Sequence, residues 1–283
     1  MAHEQPRVGF IGFGEVAATL APVLEAHGAR VAAYDLAASK VKVRFLALEE
    51  LLADRDWILS TVTTQAARQV AETCRPLLRP GQIYVDLNST SPKVKREIEE
   101  VVSKTPAGFA EAAILGAVGV EGPAVRILTG GPQGRQAAEM LCRLGLNVRF
   151  FSECTGKASA FKMLRSVFSK GLEALLLEML AAAHRAGLLE ELWLDVLDFM
   201  QRNPFERVAA NWIRTHPGAC ERRYHELRQV SETLRELGLA PLMSLGAESF
   251  FDRSRALDPA GAFPEGPESW RAVVEYLERK LHS

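Results

Sequence analysis

Two glycines near the N-terminus have the spacing of a phosphate-binding turn. Gly12, Gly14 and Ala17 form the pattern GxGxxA, directly after the apolar run RVGFIG and before a segment with helical spacing. The first glycine allows a tight turn, the second lets the backbone approach a pyrophosphate, and the alanine permits close packing of helix on strand. Asp35 ends the next apolar run, where a carboxylate can accept hydrogen bonds from the hydroxyls of an adenine ribose. Together these residues predict a dinucleotide site.

The predicted dinucleotide site extends beyond the glycine turn. An acid at the end of the second strand repels the 2′-phosphate of NADP, which favours NAD modestly over NADP, although Ser39 and Lys40 lie close by. A glycine turn without a ligand is the alternative interpretation. The residues assigned to the cofactor are Gly12, Phe13, Gly14, Glu15, Val16, Asp35, Val62 and Thr63.

A second polar segment, Asp86–Pro92, follows the apolar run QIYV. In a doubly wound sheet, ligands lie at the carboxyl ends of the strands. Asn88 and Ser89 are therefore candidates to donate hydrogen bonds to a substrate or to nicotinamide. The alternative is that Ser89 or Thr90 caps the helix that begins near the proline.

Lys162 is the candidate proton donor and acceptor. It lies in the segment KASAFKMLRSVFSKGLEALLLEMLAAAHRAG, which is predicted to form one long helix. Ser166, Ser169 and Glu173 share its helical face, and Arg165 lies beside it. Apolar residues cover much of the rest, so we expect a buried helix whose polar face lines a cleft between two domains, since an unpaired buried charge is costly. Burial and Arg165 should lower the pKa of Lys162 toward working pH; a surface lysine is the alternative.

The elements around these residues predict an α/β fold followed by helices. Short apolar runs alternate with helical segments in the first half, which indicates a doubly wound, mostly parallel sheet of the Rossmann type with helices on both faces. The segment between Asp35 and Trp57 has room only for a shortened αβ unit. We expect a Rossmann domain over residues 1–156 and an all-helical domain over residues 157–283, joined by the long helix. A Pro/Gly-rich loop is expected over Asp258–Pro267.

Composition excludes several classes of protein. With 34 basic and 35 acidic residues the net charge is -1, which argues against a nucleic-acid partner. The four dispersed cysteines and six histidines have no metal-binding spacing, and the N-terminus lacks the pattern of a secretory signal. The most apolar long segment carries charged residues, so no membrane span is expected. These observations favour a metal-independent protein of the cytoplasm.

Four segments, in the right order, resemble the β-hydroxyacid dehydrogenase superfamily, which includes 3-hydroxyisobutyrate and 6-phosphogluconate dehydrogenases. In that family they are the nucleotide-binding turn, the DxSTxxP segment whose hydroxyls bind substrate, the DAPVSGG segment that cradles the substrate carboxylate, and the segment with the catalytic lysine. Here they read IGFGEVA, DLNSTSP, FAEAAILGAVG and GKASAFKMLRS. The resemblance, to a divergent branch, covers nearly the whole chain.

The resemblance implies an NAD(P)-dependent oxidoreductase. It would transfer a hydride between nicotinamide and a small anionic substrate, a hydroxy acid or its keto or semialdehyde counterpart, with Lys162 as general acid and base. The same resemblance implies a homodimer in which helices of the second half pack between subunits. The residues it assigns to the substrate are Asn88, Ser89, Gly116, Arg165 and Ser166. The candidates for that interface, or for packing between helices of one chain, are Met179, Leu180, Trp193 and Trp212.

The chain also departs from the family pattern. In the cradle, Leu115 stands where the family has a serine, Ala117 replaces a glycine and Glu111 replaces an aspartate. Arg165 and Ser166 stand where the family usually has asparagines. Loss of the cradle serine leaves open an imine reductase-like activity, and loss of the asparagines leaves open a non-catalytic dinucleotide-binding protein.

Overall fold

The structure is a computed structural model that describes residues 5–37 and 43–281. The chain forms two compact units, one up to Val167 and one from Phe168 onward. This division lies inside a single helix, α7 (Lys157–Ala186), and not at its N-terminus, where the sequence predicts the domain boundary. The predicted long helix is confirmed.

The described part of the first unit contains one seven-stranded sheet. The strands are β1 (Arg7–Ile11), β2 (Arg30–Tyr34), β3 (Trp57–Ser60), β4 (Ile83–Asp86), β5 (Gly108–Ile114), β6 (Ile127–Gly130) and β7 (Val148–Ser152). They lie in the order β2-β1-β3-β4-β5-β6-β7. Five of the six neighbouring pairs are parallel and β5–β6 is antiparallel. The predicted mostly parallel, doubly wound sheet is confirmed.

Helices cover both faces of this sheet, because successive strand residues point to opposite sides. Phe10 packs into the cluster that contains Leu20 and Leu24 of α1 (Glu15–Ala26), whereas Ile58 packs into the cluster that contains Ile98 of α4 (Pro92–Ser103). The helix between β2 and β3 has only six residues, which confirms the shortened unit. The helices before α7 are α1 (Glu15–Ala26), α2 (Leu48–Ala53), α3 (Ala67–Cys74), α4 (Pro92–Ser103), α5 (Val118–Glu121) and α6 (Gly134–Arg143).

The second unit is helical throughout its described residues, as predicted. After α7 come α8 (Leu189–Arg202), α9 (Phe205–Arg214), α10 (His216–Glu236), α11 (Leu242–Arg255), α12 (Pro259–Ala262) and α13 (Trp270–Leu281). The prediction of a loop over Asp258–Pro267 is wrong in part, since this segment contains the short helix α12. The Asp258 side chain accepts a hydrogen bond from the Gly261 N–H and caps that helix.

The expectation that α7 is buried is wrong for the isolated chain. Leu164 and Val167 are each 71% exposed, and Phe168 and Leu177 are also largely exposed. Every residue of α8 is at least partly accessible. Many apolar side chains of these two helices are therefore not buried within a single chain.

Two further findings concern the described residues alone. They contain no helix both long and apolar enough to cross a membrane. They also contain no group of three or more His, Cys, Asp or Glu residues able to hold a metal ion. The cytoplasmic location, the metal independence and the absence of a nucleic-acid partner stay predictions.

Candidate functional site

The glycine turn follows the carboxyl end of β1, Asp35 follows that of β2, and Asn88 and Ser89 follow that of β4. At this edge of the sheet β1 has β2 on one side and β3 on the other. In open α/β sheets a crevice forms at this switch in strand order, and ligands bind there. A cleft of about 640 Å³ occupies the crevice. Its polar lining includes Gly12, Gly14, Asp35 and Thr63, and its apolar lining includes Leu48, Val62, Ala66 and Val70.

The glycine turn has the geometry expected for a phosphate site. Gly12 has φ +85°, and a Cβ there would lie 2.8 Å from the Thr61 carbonyl oxygen. A Cβ on Gly14 would instead meet open space. The N-cap position Gly14 provides no side-chain hydrogen bond, so the first N–H groups of α1 have no side-chain partner from the cap. A pyrophosphate fits such a helix N-terminus.

Asp35 shapes the turn as well as the cleft. One carboxylate oxygen accepts the Phe13 N–H at 2.5 Å, and the other accepts the Ala37 N–H at 2.8 Å. A carboxylate has further lone pairs, so these bonds leave capacity for ribose hydroxyls. The arrangement fits a dinucleotide. Ser39 and Lys40, which the sequence analysis also placed near the ribose, lie outside the described residues.

A second cavity, of about 550 Å³, lies beside the first and shares Thr61–Thr63 with it. It brings together four predicted site residues from three separate segments: Asn88, Ser89, Gly116 and Lys162. The predicted cofactor residues Glu15, Val16, Val62 and Thr63 also line it. The cavity therefore joins the nucleotide cleft to the candidate proton donor.

Lys162 is half-buried, and its Nζ donates a hydrogen bond to Ser89 Oγ. Burial lowers the pKa of Lys162, and the cation of Lys95 lowers it further. The direction of the shift is as predicted, but the repelling cation is Lys95 and not Arg165. The Arg165 side chain is exposed and is not among the residues lining the cavity. Ser166 Oγ donates to the Lys162 carbonyl oxygen at 3.0 Å, so this hydroxyl bonds within its own helix.

Three consecutive hydroxyl residues precede α4, and the structure separates their roles. Ser91 is the N-cap, and its Oγ accepts the Val94 N–H at 3.4 Å. The alternative that Ser89 or Thr90 caps this helix is therefore wrong. Ser89 lines the cavity and meets Lys162, whereas the Thr90 hydroxyl is buried.

The side chains that support Asn88 are not among the sequence predictions. The Asp86 carboxylate accepts both the Asn88 N–H, at 3.1 Å, and the Asn88 amide, at 2.5 Å. That amide also donates to Ser60 Oγ at 3.0 Å. Lys95 pairs with the other Asp86 oxygen at 2.9 Å. The sequence does indicate a buried lysine here, because Lys95 has the helical spacing of Ile98 and Val102, which are buried on the same side of α4.

Glu111 was named only as a departure from the family pattern, yet it anchors the helix that carries Lys162. It is fully buried in β5, and its carboxylate accepts the N–H groups of Gly156 at 2.8 Å and Ala158 at 3.1 Å. The Ser159 N–H adds a longer bond at 3.4 Å. An acid at the positive end of a helix is favourable. The signal was an acidic residue inside the otherwise apolar strand FAEAAI.

The cradle segment differs from that of the family in its chemistry. Leu115 is buried in a small apolar cluster with Leu128 and Ala158, so its side chain replaces the cradle serine with packing. Gly116 lies against the Glu121 carboxylate, which a Cβ would displace. The residues of this segment that line the cavity are Ile114, Gly116, Ala117 and Val118.

Three predicted polar residues belong to the second unit. Glu173 pairs with Lys170 at 3.6 Å, and Ser169 is exposed. His225, which the sequence analysis considered as a site residue or a solvated helix residue, is exposed and contacts Glu221 at 3.1 Å. This contact supports the interpretation of His225 as a solvated helix residue.

A family model that matches about half of the chain assigns it to a family. The model described as the NAD binding domain of 6-phosphogluconate dehydrogenase matches residues 7–151. The chain belongs to this family. A second model, described only as a domain of unknown function, matches residues 183–254 of the helical unit. The predicted membership of a divergent dehydrogenase-like branch is confirmed.

Solved structures agree with the assignment. A conserved protein of unknown function, reported as structurally similar to 3-hydroxyacid dehydrogenases, is 35% identical, with 89% of this chain and 99% of that one covered and a TM-score of 0.59. A conserved hypothetical protein from Sinorhizobium meliloti is 31% identical, with 98% and 97% covered and the same TM-score of 0.59. An imine reductase from Streptomyces aurantiacus is 18% identical, with 96% and 99% covered and a TM-score of 0.76, which concerns the fold alone.

Proposed function

We propose that the chain is an NAD(P)-dependent oxidoreductase that interconverts a small hydroxy acid and its keto or semialdehyde counterpart. The observation that carries the proposal is the placement of Lys162. Its amine meets Ser89 in the cavity that adjoins the nucleotide cleft, and burial lowers its pKa. When bound, the nicotinamide accepts the hydride in the oxidative direction and supplies it in the reductive direction.

The chain's own residues bind the substrate and handle the proton. In oxidation, neutral Lys162 takes the proton of the substrate hydroxyl; in reduction, protonated Lys162 returns a proton to the carbonyl oxygen. Ser89, already bonded to the lysine Nζ, orients that amine toward the reacting oxygen. Gly12, Gly14 and Asp35 hold the dinucleotide, and the charge of Asp35 favours NAD over NADP.

A second candidate function is reduction of an imine on the same scaffold. The observation that favours it is the altered cradle, in which Leu115 points into an apolar cluster. Among the residues that line the cavity, Lys162 is the one cation and Glu15 is an anion, so the lining offers little extra attraction for a carboxylate. A neutral or cationic imine suits that charge balance.

The test is a substrate screen with both cofactors. Purified protein is assayed with NADH and NADPH against 2-keto acids, 3-keto acids, semialdehyde acids and cyclic imines, and in reverse against hydroxy acids. The proposal expects turnover of an acid substrate, with a kcat that Lys162→Ala lowers by about 10²–10⁴-fold. Turnover of imines alone would establish the second candidate. Dinucleotide binding without turnover across the whole panel would contradict both and support a non-catalytic binding protein.

A further inference from the structure

Lys95 on α4 is fully buried, and it takes no part in the proton transfer described above. Its Nζ lies 2.9 Å from Asp86 Oδ2 and donates to the carbonyl oxygens of Asp86, at 2.8 Å, and Ala112, at 3.3 Å. A buried ammonium is costly unless it is paired and hydrogen-bonded. Here it has both an ion pair and two carbonyl acceptors.

Packing alone does not call for a lysine at this position. Lys95 lies on the buried stripe of α4 with Ile98, Val101 and Val102. A methionine of similar volume would fill such a position without burying a charge, and neutral replacements of buried ion pairs are often as stable as the pair. The charge therefore needs an explanation other than packing.

The network around Lys95 joins three adjacent strands, β3, β4 and β5, beside the candidate site. Asp86 ends β4 and Ala112 lies in β5, and both bond to the lysine Nζ. The second carboxylate oxygen of Asp86 holds Asn88, whose amide reaches Ser60 at the end of β3. The next residue in the chain is Ser89, the partner of Lys162.

We propose that Lys95 is a positioning residue whose buried ammonium, through Asp86, fixes the loop that presents Asn88 and Ser89 to Lys162. The catalytic consequence rests on the proposed function, in which Lys162 transfers the proton. The positional claim concerns the Lys162 amine itself and needs no substrate to be examined.

Lys95 also influences Lys162 electrostatically. Burial lowers the pKa of Lys162 first, and the Lys95 cation lowers it further. The other charged groups around this amine are Glu15 of α1, which lines the same cavity, Arg165 on its own helix, and Asp86, which is paired with Lys95. Because Lys95 is the member of the Lys95–Asp86 pair that lowers the pKa of Lys162, neutralising both residues should raise the pKa of Lys162.

The test uses the full chain and two neutralised pairs. Lys95→Met alone leaves the Asp86 carboxylate buried without its partner and is expected to unfold the protein readily. The double variant Lys95→Met/Asp86→Asn removes both charges but keeps an acceptor for Asn88. The control Lys93→Met/Glu97→Gln neutralises a solvent-accessible pair, 3.9 Å apart, on the same helix, in which Glu97 also contacts Arg68. NADH binding first establishes that each variant is folded.

The measurement is the rate at which trinitrobenzenesulfonate labels Lys162 across a pH series, read from the Lys162 peptide by mass spectrometry. The neutral amine attacks this reagent and displaces sulfite from its ring, whereas the protonated amine does not react. In the Lys95/Asp86 double variant we expect labelling near neutral pH to slow several-fold and the profile to move to higher pH. The Lys93/Glu97 control should follow the unmodified chain.

Two results would overturn the proposal. One is a Lys162 labelling profile in the double variant that matches the unmodified chain. The other is loss of NADH binding by the double variant, which would make the pair a requirement of the fold and not of the loop. A shifted profile in a protein that turns over no substrate would retain the positioning role and reject the proposed function.

Discussion

At the scale of the residue, Lys162 has to be protonated in one direction of the proposed reaction and neutral in the other. General acid–base catalysis by a placed side chain contributes about 10²–10⁴-fold. Lys162→Ala is therefore expected to lower kcat by about that factor with any substrate that the screen finds, while NADH affinity stays unchanged. Steady-state kinetics and a binding titration measure the two effects.

The control for this variant is Lys170→Ala, which removes an exposed lysine of the same helix that pairs with Glu173. The pH dependence of the unmodified chain supplies a second check. Because the pKa of Lys162 is lowered, oxidation should rise with pH and level off above that pKa, whereas reduction should fall over the same interval. A kcat of Lys162→Ala within twofold of the unmodified chain would remove this lysine from the mechanism.

Asp35 should set the preference between the two nicotinamide dinucleotides. The unmodified chain is expected to bind NADH more tightly than NADPH, because the carboxylate repels a 2′-phosphate. Asp35→Asn removes the charge but keeps an oxygen for the Phe13 N–H, so the preference should narrow by roughly tenfold, the effect of one partly solvated charge pair. Fluorescence titration with each dinucleotide measures it.

The matched control for Asp35 is Glu49→Gln, which removes an exposed acid of α2. Its ratio of NADH to NADPH affinity should equal that of the unmodified chain. Tighter binding of NADPH by the unmodified chain would contradict the role assigned to Asp35.

At the scale of the element, Glu111 fixes the start of α7 by accepting the N–H groups of Gly156, just before the helix, and of Ala158 and Ser159 in its first turn. Glu111→Gln turns an amide NH₂ toward donors that need an acceptor and removes the charge that complements the helix dipole. We expect the free energy of unfolding to fall by about 2–4 kcal/mol. Urea denaturation measures this, with Glu153→Gln as the control, because that exposed acid lies 4.0 Å from Arg135 and should matter by less than about 0.5 kcal/mol. Equal losses in the two variants would rule out the anchoring role.

Local patterns predict most of the elements, because most strands are short apolar runs buried on both faces and the helices bury residues with period 3.6. The shortened unit after β2 follows from chain length alone. The antiparallel direction of β6 does not follow from its short run of apolar residues, since both directions bury the same side chains. The short helix α12 depends on a cap by Asp258, whose effect a Pro/Gly-rich composition conceals.

The candidate site is predictable only where one residue type acts on its own. Gly12, Gly14 and Lys162 are recognisable from spacing, and the structure places them around adjoining cavities. The Lys95–Asp86 pair joins a helix to a strand, so it becomes visible only when the two pack together. The choice of Ser91 over its two hydroxyl neighbours as the cap depends on backbone angles that the sequence does not specify.

At the scale of the whole molecule, the exposed apolar surface of α7 and α8 leads us to propose a homodimer. Leu164, Phe168, Leu172 and Leu175 recur at helical spacing along α7 and are all exposed, and Leu194 of α8 is 63% exposed. Of the predicted interface residues, Trp193 and Trp212 are exposed, whereas Met179 and Leu180 are partly buried. Contiguous apolar surface of this kind marks an interaction site.

Light scattering at micromolar concentration should give twice the mass of one chain. Leu177→Glu should shift the mass toward the monomer, because this leucine is 65% exposed on α7 and a buried unpaired carboxylate is costly at an interface. Val120→Glu is the control, since Val120 is 86% exposed in the first unit, away from these helices in the chain. A monomeric mass for the unmodified chain would contradict the proposal.

The two helix N-termini beside the site differ in what occupies them. The first N–H groups of α7 are bonded to Glu111, whereas α1 begins at Gly14 without a side-chain cap. Deuterium in the solvent should therefore replace the amide protons of Gly156 and Ala158 slowly in the ligand-free protein and those at the start of α1 quickly. Addition of dinucleotide should slow the exchange only at α1. The hydrogen bonds of Glu111 at the start of α7 thus form when the chain folds, whereas the N-terminus of α1 becomes protected only when the dinucleotide binds.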